Sequence, residues 1–71
     1  MSPKLQALNS KQVIKILKLH GFRLDHTTGS HFIFYQPETK RRVTVPYHTK
    51  DLPKGTLLSI LKQADISRDE L

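Results

Sequence analysis

No cysteine occurs in the 71 residues of this chain, and that absence constrains its fold more than any motif does. A domain this short buries only about 60% of the surface its unfolded chain exposes. With no disulfide to compensate, the core must come from helix–sheet packing, aided by whatever partner the protein binds. One domain spanning residues 1–71 is expected, with residues 1–7, which show no clear period, as a loose N-terminal arm. Lack of Cys fits a reducing cytosol. There is no secretory apolar stretch and no apolar run near 18 residues. The expected location is therefore cytoplasmic, with no membrane contact. The closing Arg68-Asp69-Glu70-Leu71 is similar to an ER-retention tail, but without a signal peptide it reads as coincidence.

The hydrophobic pattern supplies the elements. Asn9 can cap a helix, with Gln12 placed to complete a capping box and Leu8 and Val13 at staple spacing; Ser10 is the alternative cap. Val13, Ile16 and Leu17 fall on one helical stripe, and Lys11, Lys15 and Lys18 fall toward water. Gly21 ends this helix, because glycine accepts a left-handed turn at little cost. Phe22 to His26 alternates apolar and polar, which predicts a half-buried strand. Thr27-Thr28-Gly29 turns the chain into a second strand, Ser30 to Gln36, whose two faces are both largely apolar. After the turn Pro37-Glu38-Thr39-Lys40, Arg42 to Val45 is a third strand with Val43 and Val45 inward, stopped by Pro46. Residues 47–52 form a loop. A second helix starts near Pro53, with Asp51 as a possible cap, and carries Leu57, Ile60, Leu61 and Ala64 on its buried stripe. Ser67 to Glu70 has a further capping-box pattern. The order α-β-β-β-α predicts an α+β, two-layer domain: a three-stranded antiparallel meander with both helices on one face.

Twelve basic and six acidic side chains leave a net charge of +6. The surplus is uneven. Residues 1–64 hold eleven basic and three acidic groups, while the last seven hold one and three. Such a field favours phosphate backbones through counterion release. Lys40-Arg41-Arg42 is the obvious phosphate contact, with Lys50 and Lys54 as further cations. No helix joins base-reading Asn, Gln or Arg on one face to a helix-turn-helix arrangement, which argues against a DNA-binding protein.

Imidazole is the best chemical group available. The four histidines are spaced by 6, 5 and 17 residues with no cysteine and no acidic pair nearby, so no zinc spacing and no metal site is expected. His20 at a helix end suits the dipole, and His26 reads as an exposed strand-end residue. His48, in a loop after Val45-Pro46-Tyr47, is undecided. His31 differs, because it opens the most apolar strand directly after the small pair Gly29-Ser30, which leaves its approach open. A Ser-His hydrolase pairing with Ser30 is disfavoured, since successive strand residues point to opposite faces. A partly buried, purely structural histidine stays the bland alternative for His31. One histidine on a basic domain can, however, cleave RNA. The 2′-hydroxyl is an internal nucleophile beside the phosphate, so the protein need only move a proton and stabilise charge. Imidazole suits that transfer.

From about Leu8 to Ser67 the chain resembles the HicA family of bacterial toxins, small mRNA interferases. The matching segments are His20-Gly21-Phe22 at the end of the first helix, Gly29-Ser30-His31, Val43-Thr44-Val45-Pro46-Tyr47-His48, and Leu52-Pro53-Lys54-Gly55-Thr56 running on to Ala64. The resemblance implies a fold like that of double-stranded-RNA-binding domains. It also implies endoribonuclease cleavage of mRNA without metal or other cofactor, and a HicB-type antitoxin partner that silences the toxin in a hetero-oligomer. Carried over residue by residue, the catalytic histidine of the family is His31. His48 matches a family position, and it and Ser30 stand as possible auxiliaries without a transferred role. The rival expectation is a catalytically idle RNA-binding module of the same fold, supported by the charge alone.

Overall fold

The computed structural model describes residues 7–67, so the expectations for residues 1–6 of the arm and for the 68–70 part of the terminal capping pattern fall outside the described residues. Helix α1 spans Ser10–Leu19, strands β1, β2 and β3 span Arg23–Thr28, His31–Gln36 and Arg41–Pro46, and helix α2 spans Lys54–Ala64. The sheet order is β1-β2-β3, antiparallel throughout.

Helix α1 starts where the capping box puts it. The Asn9 side chain accepts the Gln12 backbone N–H at 2.9 Å, and the Gln12 side chain accepts the Asn9 N–H at 2.9 Å. Two of the donors that a helix start leaves unpaired are thereby satisfied. Ser10 is not the cap. It is buried, its hydroxyl donates to the Pro46 carbonyl at 2.7 Å and accepts the His48 N–H at 2.7 Å, and this ties α1 to the end of β3. Termination follows a Schellman pattern, in which the Phe22 N–H returns to the Leu17 carbonyl and the Gly21 N–H to that of Lys18. Gly21 has φ +86°, and a Cβ there would lie 2.5 Å from Gln36 Nε2. That amide is itself committed, because it donates to the His20 carbonyl at 2.8 Å.

The core lies between one sheet face and both helices. Phe34 of β2 and Val43 and Val45 of β3 meet Val13 and Leu17 of α1 and Leu57, Ile60 and Leu61 of α2, all buried. Phe34 is the largest of these side chains, and its truncation to Ala would cost roughly 3–5 kcal/mol, most of what so small a domain has to spare.

Three expectations need correction. First, β1 is exposed along its whole length rather than half-buried. The helices cover β3 and β2 and leave the β1 edge open. Phe22, the buried residue of that segment, precedes the strand as part of the helix-ending motif. Second, the turn between β1 and β2 is not Thr27-Thr28-Gly29. Thr28 pairs with His31, so Gly29-Ser30 forms a two-residue hairpin with Gly29 at φ +57°, and strand β2 begins at His31 rather than Ser30. Third, Asp51 does not cap α2. Pro53 occupies the N-cap with no side-chain bond, while Asp51 forms a bridge with Asn9.

Candidate functional site

Strand parity sorts β2 into two sets. Phe34 faces the helices and carries Phe32 and Gln36 with it; His31, Ile33 and Tyr35 therefore project from the opposite, open face. Across the ladders His31 pairs with Thr28 and Pro46, Ile33 with His26 and Thr44, and Tyr35 with Arg23 and Arg42. Directly paired residues share a face. The open face thus presents two histidines, two arginines, one tyrosine and one isoleucine with no helix above them among the described residues.

His31 stands at one end of this face. Its imidazole is exposed and makes no hydrogen bond or ion pair among the described residues. A purely structural histidine would be expected to hold a partner, so this arrangement argues for availability. The ends around it are fastened by backbone bonds: the Tyr47 N–H donates to the Ser30 carbonyl at 2.7 Å, and the Leu52 N–H to that of Leu8 at 2.7 Å. These bonds draw the 47–53 loop across the start of α1 and beside the start of β2. Ser30 and His48 stand near the His31 end, while the loop carries Lys50 past the start of α1 and Lys54 opens α2; all four are exposed. Tyr47 packs its ring edge-on against Phe32, with centroids 5.7 Å apart, and is still 54% exposed. The side chains of Ser30 and His48 make no hydrogen bond among the described residues.

The run Lys40-Arg41-Arg42 lies at the far end. Arg42 pairs with Tyr35, four residues along β2 from His31, a separation of roughly 14 Å. Nor is the run one patch. Arg41 turns to the helix side, where Nη1 donates to the Gln63 carbonyl at 3.3 Å and Nη2 lies 3.7 Å from Asp65 Oδ2. Arg42 turns to the open face, 3.5 Å from Asp25 Oδ2 and over the Tyr35 ring at 4.9 Å. Lys40 sits in the turn at φ +58°. Consecutive strand residues diverge, so a basic tripeptide cannot present three cations to one surface.

One pair escaped the sequence reasoning. The Oδ2 of Asp25 lies 2.6 Å from His26 Nδ1, although neighbours in a regular strand point apart. A bulge between Leu24 and His26 inserts Asp25 without a partner and lets both side chains reach the open face. The Asp25 carboxyl is held below its ordinary value of 3.8, chiefly by the hydrogen bond from His26; desolvation opposes this, and the charges of His26 and Arg42 add smaller lowering contributions. No sequence signal marks the bulge.

Among the described residues no group of three or more His, Cys, Asp and Glu converges into a metal set. No helix is long and apolar enough to cross a membrane. A surface depression of about 450 Å³ runs along α1 between Lys11, Ile14, Lys15, Lys18 and Leu19. A nucleic-acid backbone binds to charged open surfaces and needs no cavity at His31. No curated protein matches the chain. The family model described as HicA toxin of bacterial toxin-antitoxin matches residues 10–66.

Proposed function

Since this chain belongs to the HicA toxin family of bacterial toxin–antitoxin systems, with a toxin's role and a cognate antitoxin implied, we propose that it is an endoribonuclease that cleaves mRNA with His31 and no metal. The observation that carries this reading is the state of His31: exposed, unpartnered and on an open sheet face, with the exposed cations Lys50 and Lys54 in the loop and helix start that follow β3. A phosphodiester laid along that end places its 2′-hydroxyl within reach of the imidazole. Proton removal starts attack on the adjacent phosphorus, and the lysines offset the charge that grows on the phosphorane oxygens. Arg42, and beyond it Lys40 and Arg41, hold the backbone further along the strand. Ser30 and His48 flank the reacting phosphate as auxiliaries.

The HicB-type antitoxin silences the toxin by covering the His31 end of the open face. An acidic surface suits the toxin's positive field and gives rapid capture. The half-buried Ile33 and Tyr35 offer apolar contact to hold it. Hydrogen exchange on the complex checks this: protection across Gly29–Tyr35 is expected, whereas protection confined to the two helices contradicts it. The ribonuclease reading is tested by inducing the wild type and His31→Ala in bacteria. The wild type is expected to arrest growth, and the variant, folded by circular dichroism, is expected not to. A folded variant that still arrests growth overturns the assignment.

A further inference from the structure

His26 is the second imidazole of the open face, and the ribonuclease reading above makes no use of it. Its pairing with Ile33, beside that of His31 with Thr28, makes the two histidines diagonal neighbours across β1 and β2, with Cα atoms roughly 7–8 Å apart. That gap accommodates a phosphate between two imidazoles. The side chain is oriented. A carboxylate only accepts, so Nδ1 of His26 donates to Asp25 and Nε2 is the free nitrogen. The same Oδ2 of Asp25 lies 3.5 Å from Nη1 of Arg42, which is itself stacked on Tyr35. The carboxylate therefore fixes the orientation of the ring. His31 has no such partner and is the one suited to accept a proton.

We infer that His26 is a second catalytic residue, the general acid of the cleavage that His31 begins as general base, with Asp25 as its positioning residue; the inference rests on the ribonuclease reading. In the step, neutral His31 takes the proton of the 2′-hydroxyl, and the 2′-oxygen forms its bond to phosphorus. The bond from phosphorus to the 5′-oxygen breaks, and that oxygen takes the proton of the His26 imidazolium. The products are a 2′,3′-cyclic phosphate and a 5′-hydroxyl. The two imidazoles have exchanged protonation states, and water restores them, directly or by opening the cyclic phosphate in reverse. An exposed His–Asp pair adds little to stability, so its geometry is more economically explained by chemistry than by folding.

The groups facing His26 are Asp25 and Arg23 of β1, His31 and Tyr35 of β2, and Arg42 of β3. The decisive experiment compares an ordinary RNA dinucleotide junction with one whose 5′-bridging oxygen is sulfur, a leaving group that needs no proton. His26→Ala is expected to lose roughly 10²–10⁴-fold on the oxygen substrate and almost nothing on the sulfur one, while His31→Ala loses activity on both. Asp25→Asn is expected to lower kcat on the oxygen substrate while leaving KM and the rate on the sulfur substrate nearly unchanged. Equal activity of His26→Ala and wild type on the oxygen substrate, or an equal loss on both substrates, overturns the inference while leaving His31 in place. Failure of the wild type to cut either substrate overturns the ribonuclease reading and, with it, this one.

Discussion

The basic run at the turn before β3 and the basic groups that follow β3 differ in what they are doing. At the far end, Arg42 is paired with Asp25 and stacked on Tyr35, and Arg41 is drawn off to Asp65 and the last turn of α2. After β3, neither Lys50 nor Lys54 forms an ion pair among the described residues, and His31 itself is unpartnered. The densest run of positive charge in the sequence is therefore the more neutralised in the fold. Affinity for a polyanion depends on cations that can release their counterions to it; Lys50 and Lys54 are such cations, and at the far end Lys40 and Arg23 are as well. The comparison also separates two designs for an imidazole: His26 held by a carboxylate, His31 left open.

The comparison can be broken most sharply at His31. His31→Ala is expected to lower cleavage of RNA by roughly 10²–10⁴-fold with an unchanged far-ultraviolet spectrum, whereas Arg41→Ala is expected to leave the cleavage step nearly intact. Next in size is binding. Replacing Lys50 and Lys54 together by Gln is expected to reduce the slope of log affinity against log salt by about 1.4 for single-stranded RNA, at about 0.7 per phosphate contact. The same change at Lys40 and Arg41 is expected to reduce it less, and the reverse ranking would place the backbone at the far end. Smaller again is the acid titration of the Asp25 carboxyl, followed by NMR. Its midpoint is expected below 3.8, to rise on His26→Ala and to rise less on Arg42→Ala. Because the folded value is depressed, the pair contributes stability above the unfolded value and loses it as pH falls through the folded one. The smallest effect is expected from Lys40→Gly, which relieves a left-handed residue. It is expected to raise stability by about 1 kcal/mol, read as a higher urea midpoint.

Local rules made much of the fold legible. The capping box at Asn9, the stripe of Val13 and Leu17, the stop at Gly21, and the inward Val43 and Val45 each follow from spacing within a few residues. The exposure of β1 was not legible, because Leu24 is apolar and alternates properly; its burial depends on which strands the helices cover, a global property. Asp51 looked like a cap because it precedes a helix, but the chain passes beside Asn9 before α2 begins. In the candidate site, the triplet drew attention to His31, and strand parity explains why it stands on the open face. The same parity, applied to residues 40–42, would have divided the basic run in advance. The Asp25–His26 pair could not be anticipated, since an unmarked bulge reverses the rule that strand neighbours diverge.

The central claim is that the His31 end of the open face cuts RNA through the substrate's own 2′-hydroxyl. The most direct measurement is the chemistry of the cut ends, made with purified protein in excess EDTA. Products ending in a 2′,3′-cyclic phosphate or its opened monophosphate, with 5′-hydroxyl partners, and absent with His31→Ala, are the predicted result. Products with 3′-hydroxyl and 5′-phosphate ends, or cleavage lost in EDTA and restored by a divalent ion, would contradict it.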